Sequence, residues 1–374
     1  MARKSAGPAR LQQAVAPGLQ RPPAEQLYAG EMDRLIGLDS GPRPPGWRMS
    51  AAAVRKFLLG DAELGIEPKF VGHPSLVDRS LVALATQRGL LLVGEPGTAK
   101  SMLSEYLAAA ISGQSTLTIQ GSAATTEDQL KYGWNYALLL AEGPTRRALV
   151  PAPLYLGMER GLLVRFEEIT RCPSEIQDGL LSILSDRVLF VPELEGEESR
   201  LYARQGFNLI ATANTRDRGT NEMSAALKRR FNFETVYPIG DPEEELELVQ
   251  RQAARQLQQC GVPTTPPRPL LEVLVGVFRD LRRGQTEEGQ QLERLSTSMS
   301  TAEAVSVAES LGIRSYYLKQ REVDGADLME CILGTALKDQ PEDIQKLRRY
   351  LEQRVSRRRG EAWKSLYEAR HLLP

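Results

Sequence analysis

Short apolar runs alternate with stretches of helical periodicity from Ser50 to about residue 240. Each run is only a few residues long, which suits a buried strand better than a helix. The runs are Leu90–Val93, Thr116–Ile119, Leu162–Phe166, Phe207–Ala213 and Phe233–Tyr237. Strands that are separated by helices pair in parallel and are covered by those helices on both faces. The pattern therefore predicts an α/β fold with a five-stranded parallel sheet.

The two ends of the chain follow other patterns. After DPEEELELV the apolar runs stop, and residues 241–374 are rich in Glu, Gln, Arg and Leu at helical spacing. This predicts an all-helical domain that follows an αβα domain over residues 48–240. Residues 1–47 are rich in Pro, Gly, Ala and Arg and end in GPRPPGW, which predicts a mostly disordered lead. A docking arm is the alternative interpretation of that lead.

Composition and charge narrow the classes of protein. The chain has 374 residues, of which 41% are apolar and 25% charged, as in ordinary globular proteins. A net charge of -1 provides no overall attraction to nucleic acid or anionic lipid. Three separated cysteines and two histidines argue against a disulfide framework and a Cys/His zinc site. The sequence has neither an apolar run of membrane-spanning length nor a secretory leader pattern, so a cytoplasmic location is expected.

The stretch LLLVGEPGTAKS carries the strongest chemical signal. It matches the phosphate-binding pattern G-x-x-x-x-G-K-[ST] except at Ala99, and it follows a predicted strand and precedes a predicted helix. Lys100 would reach the β- and γ-phosphates, and the Ser101 hydroxyl would ligate Mg²⁺. If position 99 already lies in the helix at negative φ, alanine carries no backbone penalty. The predicted nucleotide-binding residues are Gly94, Glu95, Pro96, Gly97, Thr98, Ala99, Lys100, Ser101 and Met102, with ATP and Mg²⁺ as cofactors.

The form G-x-P-G-x-A-K-[ST] resembles the Walker A motif of MoxR-type AAA+ ATPases, which belong to the dynein-related, helix-2-insert clade. The resemblance runs from about Phe70 to Tyr237 and more loosely beyond, and it implies an AAA+ αβα domain followed by a helical lid. FVGHPSLVDRS is similar to the segment before the loop, which implies that Val71 and Gly72 lie near the adenine. TLTIQGSAATTEDQL resembles the second strand, which places Gln120 where it would hold the catalytic glutamate between turnovers.

The segment GLLVRFEEITR resembles the Walker B motif. The family normally has Asp-Glu, whereas this chain has Glu167 and Glu168. The resemblance implies that Glu167 contacts Mg²⁺ through water and lies near Ser101, although it is one methylene longer than aspartate. Glu168 is implied as the base or the residue that positions the attacking water. A solvated strand end with two acids is the alternative.

Two further segments resemble parts of the same catalytic centre. FNLIATANTRDRG is similar to the sensor strand and implies that Asn214 orients the water or touches the γ-phosphate; a strand-capping asparagine is the alternative. ALKRRFNFE implies an arginine finger at Arg230, with Arg229 as the second candidate and a solvated basic pair as the alternative. In this family the finger reaches the neighbouring subunit's nucleotide. A homo-oligomeric ring is therefore implied, with a hexamer as the expected size.

The chain also departs from the family or adds to it. The lid arginine of the family is replaced by Ser300 and Thr301, with Arg294 as the nearest substitute. YALLLAEGPTRRALVPAPLYLG and RVLFVPELEGEESRLYARQG resemble inserted hairpins, which are either client contacts or plain surface additions. The run KLRRYLEQRVSRRRGEAW has seven basic residues from Lys346 to Arg359. This run is either a salt-bridged helix face or a contact for nucleic acid or an acidic partner.

Together these features predict a MoxR-like ATPase that hydrolyses MgATP at subunit interfaces to remodel or mature a client complex. The resemblance also implies a partner with a von Willebrand factor A domain. Two alternatives stay open. One is a scaffold that binds nucleotide without hydrolysing it. The glutamate at position 167 in place of aspartate and the missing lid arginine favour this alternative. The other is an McrB-like NTPase that acts with nucleic acid and prefers GTP.

Overall fold

The structure, a computed structural model, describes residues 19–214, 221–286, 289–337 and 341–374. The chain forms two compact units. The first contains the described residues up to Gly94 together with Lys100–Val236, and the second contains Glu95–Ala99 and the described residues from Tyr237 onward. None of the described helices is both long enough and apolar enough to cross a membrane.

Strands and helices alternate through the first unit. The strands are β1 (Gly89–Gly94), β2 (Thr118–Gln120), β3 (Tyr132–Trp134), β4 (Leu149–Pro151), β5 (Leu163–Glu167), β6 (Val188–Phe190), β7 (Arg200–Tyr202), β8 (Asn208–Asn214) and β9 (Phe231–Val236). The helices are α1 (Ala24–Leu27), α2 (Ala29–Leu38), α3 (Ala51–Leu59), α4 (Pro74–Ala85), α5 (Lys100–Ser112), α6 (Glu127–Leu130), α7 (Tyr136–Glu142), α8 (Pro153–Arg160), α9 (Ser174–Asp178), α10 (Leu181–Ser185) and α11 (Ala225–Lys228).

The central sheet has five parallel strands in the order β2-β5-β8-β1-β9. Alternate residues of β1 enter different cores, since Leu90 and Leu92 pack on one face and Leu91 packs on the other. Helices cover both faces, as a parallel sheet requires. The predicted fold is confirmed, and each apolar run corresponds to one strand of this sheet. The pairs β3–β4 and β6–β7 form separate antiparallel hairpins, which are the two predicted insertions.

The prediction that the N-terminal segment is disordered is wrong for residues 24–38, because these residues form α1 and α2. Tyr28, Met32 and Leu35 are buried, and Tyr28 packs edge-on against Phe57 of α3 at 5.8 Å between ring centres. These side chains recur at helical spacing within a segment whose overall composition is rich in Pro and Gly. A short apolar stripe therefore outweighs the average composition. The start of the predicted lead, residues 1–18, lies outside the described residues.

The second unit is helical, as predicted. Its helices are α12 (Pro242–Gln259), α13 (Arg268–Arg283), α14 (Thr301–Ile313), α15 (Gly325–Ile332), α16 (Pro341–Gln353) and α17 (Glu361–Glu368), with π-helical segments at Arg314–Lys319 and Leu333–Leu337. Apolar faces of these helices form one core. The unit also buries charge, because Glu245 of α12 is 1% exposed and accepts hydrogen bonds from Arg279 and Arg282 of α13 at 2.7 Å each.

The ionised form of Glu245 stabilises the second unit. Burial acts to raise the pKa of Glu245, but the hydrogen bond and charge of Arg282, with bonds from Thr301 and Arg279, outweigh burial and lower it. A carboxyl group with a depressed pKa in the folded state contributes stability above its unfolded pKa and loses it as the pH falls through the folded value. Protonation of Glu245 at acid pH therefore weakens this unit.

We expect Glu245→Gln to reduce the free energy of unfolding by about 3 kcal/mol at pH 7, because two buried guanidinium groups lose their counter-charge. The variant should also lose less stability than the wild type as the pH falls from about 4.5, the ordinary pKa of a glutamate, toward the lower pKa that Glu245 has in the folded protein. Urea unfolding followed by circular dichroism at several pH values measures both effects. Glu243→Gln is the control, since its ion pair with Arg268 is exposed to solvent and contributes little to stability. Equal effects of the two substitutions would contradict the prediction.

Candidate functional site

The carboxyl ends of the parallel strands bring polar residues together at one edge of the sheet. Gly94, the last residue of β1, lies beside Asn214, the last residue of β8. Gln120 at the end of β2 lies beside Glu167 at the end of β5. Ligands of open α/β sheets bind at this edge, because the loops that follow the strands converge there. Four predicted site residues from four strands are thus neighbours on one edge.

Helix α5 begins at this edge with the two residues that the phosphate-binding pattern singles out. Lys100 is 7% exposed, and its Nζ donates to the Gly94 carbonyl at 3.1 Å. The Ser101 Oγ donates to Glu167 Oε2 at 2.7 Å. Met102 is half-buried and packs against the core formed by α1–α5. The serine of the loop motif and the first acid of the acidic pair are therefore in direct contact.

Residues Glu95–Ala99 group with the second unit, and their backbone makes a tight turn. The Thr98 hydroxyl donates to the Glu95 carbonyl at 2.9 Å, and Gly97 has φ +74°. A side chain at Gly97 would lie 2.2 Å from the Cβ of Ser300 in that same unit, so only glycine fits there.

Ala99 has φ +66°, in the left-handed region, so the expectation that it lies in the helix at negative φ is wrong. Helix α5 starts one residue later, at Lys100. Position 99 still belongs to the turn, where a Cβ is disfavoured by roughly 1–2 kcal/mol. Alanine is consequently tolerated at this position against a backbone penalty, and helix propensity does not explain it.

Glu167 is the most extensively bonded residue described at this edge. Its side chain is buried, and Oε2 accepts hydrogen bonds from Ser101 at 2.7 Å and from Thr212 at 2.8 Å. Oε1 accepts from Ser104 at 2.6 Å and from Arg165 Nη2 at 2.8 Å. These donors occupy the roughly four acceptor positions of a carboxylate. Burial acts to raise the pKa of Glu167, but the three hydroxyl donors and the Arg165 charge outweigh it and lower the pKa.

The sequence interpretation missed Arg165, Ser104 and Thr212, although periodicity signals each of them. Arg165 and Glu167 are two residues apart on a strand and therefore share a face. Ser101 and Ser104 are three residues apart on a helix and likewise share a face. Thr212 precedes Asn214 by two residues on β8 and faces the same way.

Glu168 follows directly and adopts a left-handed backbone conformation with φ +55°. Its N–H donates to the Thr212 hydroxyl at 2.9 Å. Its carboxylate pairs with Arg171 Nε at 2.9 Å, and its side chain is 31% exposed. Gln120 is exposed, and its backbone carbonyl accepts a hydrogen bond from the Thr125 hydroxyl at 3.3 Å. The partner of Glu168 in this structure is thus Arg171, and the role implied for Gln120 stays a prediction.

Arg229 and Arg230 lie at the opposite edge of the sheet. The Arg230 carbonyl accepts from the N–H of Gly89, the first residue of β1, and its Nε donates to Ser185 at 2.8 Å. Strand β1 separates this end from Gly94 by five steps of about 3.3 Å each. The structure therefore does not bring either arginine to the acidic pair of its own chain.

The remaining predicted positions are distributed over both units. Val71 and Gly72 lie in the connection that leads into α4, and their role near the adenine stays a prediction. In the second unit, Ser300 caps α14 and Thr301 donates to Glu245. Arg294 donates to the Arg283 carbonyl at 3.3 Å.

The residues at the edge fit a magnesium ion that is held mainly by a nucleotide. The described part of the chain contains no group of three or more His, Cys, Asp or Glu side chains that would hold a metal by itself. Ser101 directs its hydroxyl hydrogen to Glu167, which leaves its oxygen lone pairs available to a cation. Mg²⁺ typically takes one or two protein ligands and completes its shell with phosphates and water.

We expect Ala99→Gly to raise the free energy of unfolding by about 1 kcal/mol, because glycine removes the left-handed penalty while adding some entropy to the unfolded chain. Urea unfolding measures this change. Ala110→Gly, inside α5, serves as the comparison and should lose at least about 1 kcal/mol. A loss of stability in both variants would show that position 99 does not behave as a left-handed residue.

Comparison with known proteins identifies the family. Residues 89–231 match the model of the AAA domain of the dynein-related subfamily, and residues 243–374 match the YehL-like AAA+ ATPase C-terminal domain. The uncharacterized protein YehL of Escherichia coli is 60% identical over 356 residues, which cover 95% of this chain and 98% of that protein.

More distant relatives carry functional names. Chaperone MoxR1 of Mycobacterium tuberculosis is 27% identical, covering 59% of this chain and 55% of that protein. Gas vesicle ATPase GvpN2 of Halobacterium salinarum is 24% identical, covering 68% and 72%. Among solved structures, NtrX from Brucella abortus in complex with ADP matches with a TM-score of 0.47 at 15% identity, covering 80% of this chain and 64% of that one. The chain belongs to the YehL-like AAA+ ATPases, a family of MoxR type within the dynein-related subfamily.

Proposed function

We propose that this protein hydrolyses MgATP between subunits of a ring and uses the energy to remodel or mature a client protein complex. The observation that carries the proposal is the continuous set of hydrogen bonds at the carboxyl edge of the sheet. Ser101 of the loop motif contacts Glu167, Glu167 contacts Thr212, and Thr212 accepts the N–H of Glu168. The residue expected to hold the metal is thus linked to the residue expected to act on water.

Each of these side chains has a defined part in hydrolysis. Lys100 leaves the Gly94 carbonyl to contact the β- and γ-phosphates. Ser101 would hold Mg²⁺ through its hydroxyl oxygen while its hydroxyl hydrogen stays directed to Glu167, and the ion would supply charge neutralisation at the phosphate oxygens. Glu168 orients the attacking water and takes its proton, which requires its carboxylate to leave Arg171. Asn214, beside Gly94, orients the same water.

The arginine finger acts on the neighbouring subunit in this proposal. Arg230 lies one strand length from the acidic pair of its own chain, beyond the reach of a single side chain. A head-to-tail interface places one edge of a subunit against the opposite edge of the next, and such an interface closes into a ring. Arg230, with Arg229 as its substitute, then stabilises the negative charge on the γ-phosphate. Six subunits are the expected number.

The two hairpins are the proposed contacts for the client. Helix α7, between β3 and β4, exposes 70% of Tyr136 and 89% of Leu140. Phe190 of β6 and Tyr202 of β7 are also exposed. Exposed apolar side chains that cluster on insertions mark protein-binding surfaces. The relative MoxR1 is named a chaperone, which supports a role in handling other proteins, and a partner with a von Willebrand factor A domain remains part of the proposal.

The basic run near the C-terminus does not favour the nucleic-acid alternative. Lys346, Arg349 and Arg358 form ion pairs within the second unit, with Asp343, Glu293 and Asp280 respectively. Cations that are already paired inside a domain contribute little to phosphate binding. A measurement of turnover distinguishes an ATPase from the alternative, a scaffold that binds nucleotide without hydrolysing it.

The first test is phosphate release from purified protein with MgATP and MgGTP. We expect turnover in the wild type and a loss of nucleotide binding in Lys100→Ala, because the phosphates lose their cation. Glu168→Gln should still bind the nucleotide, but its turnover should be at least about 10²-fold slower, since an amide cannot take the proton. Glu175→Gln, an exposed acid on α9, is the matched control. Tight binding without turnover in the wild type would support the scaffold instead.

A second test addresses the finger. Neither Arg230→Ala nor Glu168→Gln should be active alone, but an equal mixture should recover activity at about a quarter of the interfaces if Arg230 acts across them. Each active interface then pairs an intact acidic pair with an intact finger. A mixture of Lys100→Ala with Glu168→Gln is the control, because every pocket in it is defective. An inactive mixture containing Arg230→Ala would argue against a finger that acts between subunits.

A further inference from the structure

Arg165 is a buried cation in the strand that ends with the acidic pair. Its side chain is 10% exposed and donates to groups on α5, on β5 and in the connection between α5 and β2. Nε donates to the Ser104 hydroxyl at 2.9 Å, and Nη1 donates to the Ser115 carbonyl at 3.2 Å. Nη2 donates both to the Ser101 carbonyl at 3.0 Å and to Glu167 Oε1 at 2.8 Å. One planar guanidinium group thus joins β5 to the first turn of α5.

The two oxygens of Glu167 have different partners as a result. Oε1 is held by Arg165 and Ser104, which lie farther back along the strand and the helix. Oε2 is held by Ser101 and Thr212, which lie at the edge of the sheet. A carboxylate is rigid and planar, so holding Oε1 in place restricts the positions that Oε2 can take.

We propose that Arg165 is a positioning residue, which together with Ser104 sets Glu167 so that its outer oxygen accepts from Ser101. The inference rests on the proposed function, because the position of Glu167 matters only if it orients Ser101 toward the metal of MgATP. The glutamate side chain at position 167, which is one methylene longer than aspartate, and the Arg165 side chain form one hydrogen-bonded pair. An aspartate at 167 reaches one methylene less far and cannot keep both the inner and the outer contacts.

The same reasoning predicts that the two positions are strongly coupled. Glu167→Asp alone leaves a buried guanidinium group with a weakened partner, and such groups destabilise their surroundings. Arg165→Met alone leaves Ser104 as the remaining inner contact of Glu167, so Oε2 is held less firmly against Ser101. When both are changed, the aspartate has no competing arginine and can serve Ser101 alone. Residues that share one hydrogen-bond network show such non-additive effects.

The test is a double-mutant cycle with Arg165→Met, Glu167→Asp and the double variant. A fluorescent ATP analogue is titrated with Mg²⁺ and with EDTA, and the ratio of the two affinities is the readout. We expect each single variant to lower this ratio about tenfold, which is about 1.4 kcal/mol, and the double variant to return to within about threefold of the wild type. Binding in EDTA should be unchanged in all three, because Lys100 is intact.

Two further variants keep the test decisive. Ser104→Ala removes one inner contact without removing the buried charge, and it should lower the ratio by about threefold. Arg55→Met removes an exposed ion pair with Asp78 and should change nothing. Circular dichroism and urea midpoints establish that each variant is folded.

The outcomes separate the two proposals. Additive effects in the double variant, or an equal loss of binding in Mg²⁺ and in EDTA, would overturn the positioning role while leaving nucleotide binding in place. A wild type that binds no nucleotide would overturn the proposed function. Turnover measured in parallel should show a KM for MgATP that rises in the single variants, in step with their loss of Mg²⁺-dependent affinity, and returns toward the wild-type value in the double variant.

Discussion

The carboxylate of Glu167 is the contact on which the rest of the carboxyl edge depends. It is buried among three hydroxyl groups and one guanidinium group, which come from α5, β5 and β8. A buried carboxylate is stable only when its acceptor positions are filled, and an unfilled one destabilises a fold strongly. The start of α5, the end of β5 and the carboxyl-terminal part of β8 are consequently held in one arrangement by a single charged group.

This arrangement explains why the acidic pair has two unlike members. Glu167 is buried and fully hydrogen-bonded, and the Ser101 hydroxyl is one of its donors. Glu168 is partly exposed, has a left-handed backbone and has an ion-pair partner on the following turn. Adjacent residues on a strand face opposite ways, and here the chain turns between them. Two carboxylates that are neighbours in sequence therefore have different environments and different chemistry.

Much of the fold could be predicted from the sequence, because apolar runs and helical spacing are local signals. The five strands and the helical region after them follow from those signals, and so does the meeting of Gly94, Asn214 and Glu167 at one edge. The burial of Tyr28 and Met32 was missed because a short stripe is hidden by a Pro-rich average. The sign of φ at Ala99 depends on where α5 begins. The sequence is compatible with a helix that includes Ala99, whereas α5 begins one residue later, at Lys100, and leaves Ala99 in the turn.

Side-chain reach was the other feature that sequence could not settle. The pattern RFEE places Arg165 and Glu167 on one face, but nothing in it states that the arginine turns toward the helix. That direction depends on the serines of α5, which are distant in sequence and adjacent only after folding. The spacing of residues on one element is therefore more predictable than their bonding across elements.

The separation of Arg230 from the acidic pair across the length of β1 has a consequence for incomplete assemblies. If the proposed finger acts between subunits, each subunit of a head-to-tail row would offer an arginine at one end of its sheet and receive one at the other. An open row of subunits always leaves one pocket without an arginine and one arginine without a pocket, whatever its length. Activity per subunit would then increase with the length of the row and reach its full value only on closure, so protein concentration alone would regulate the enzyme.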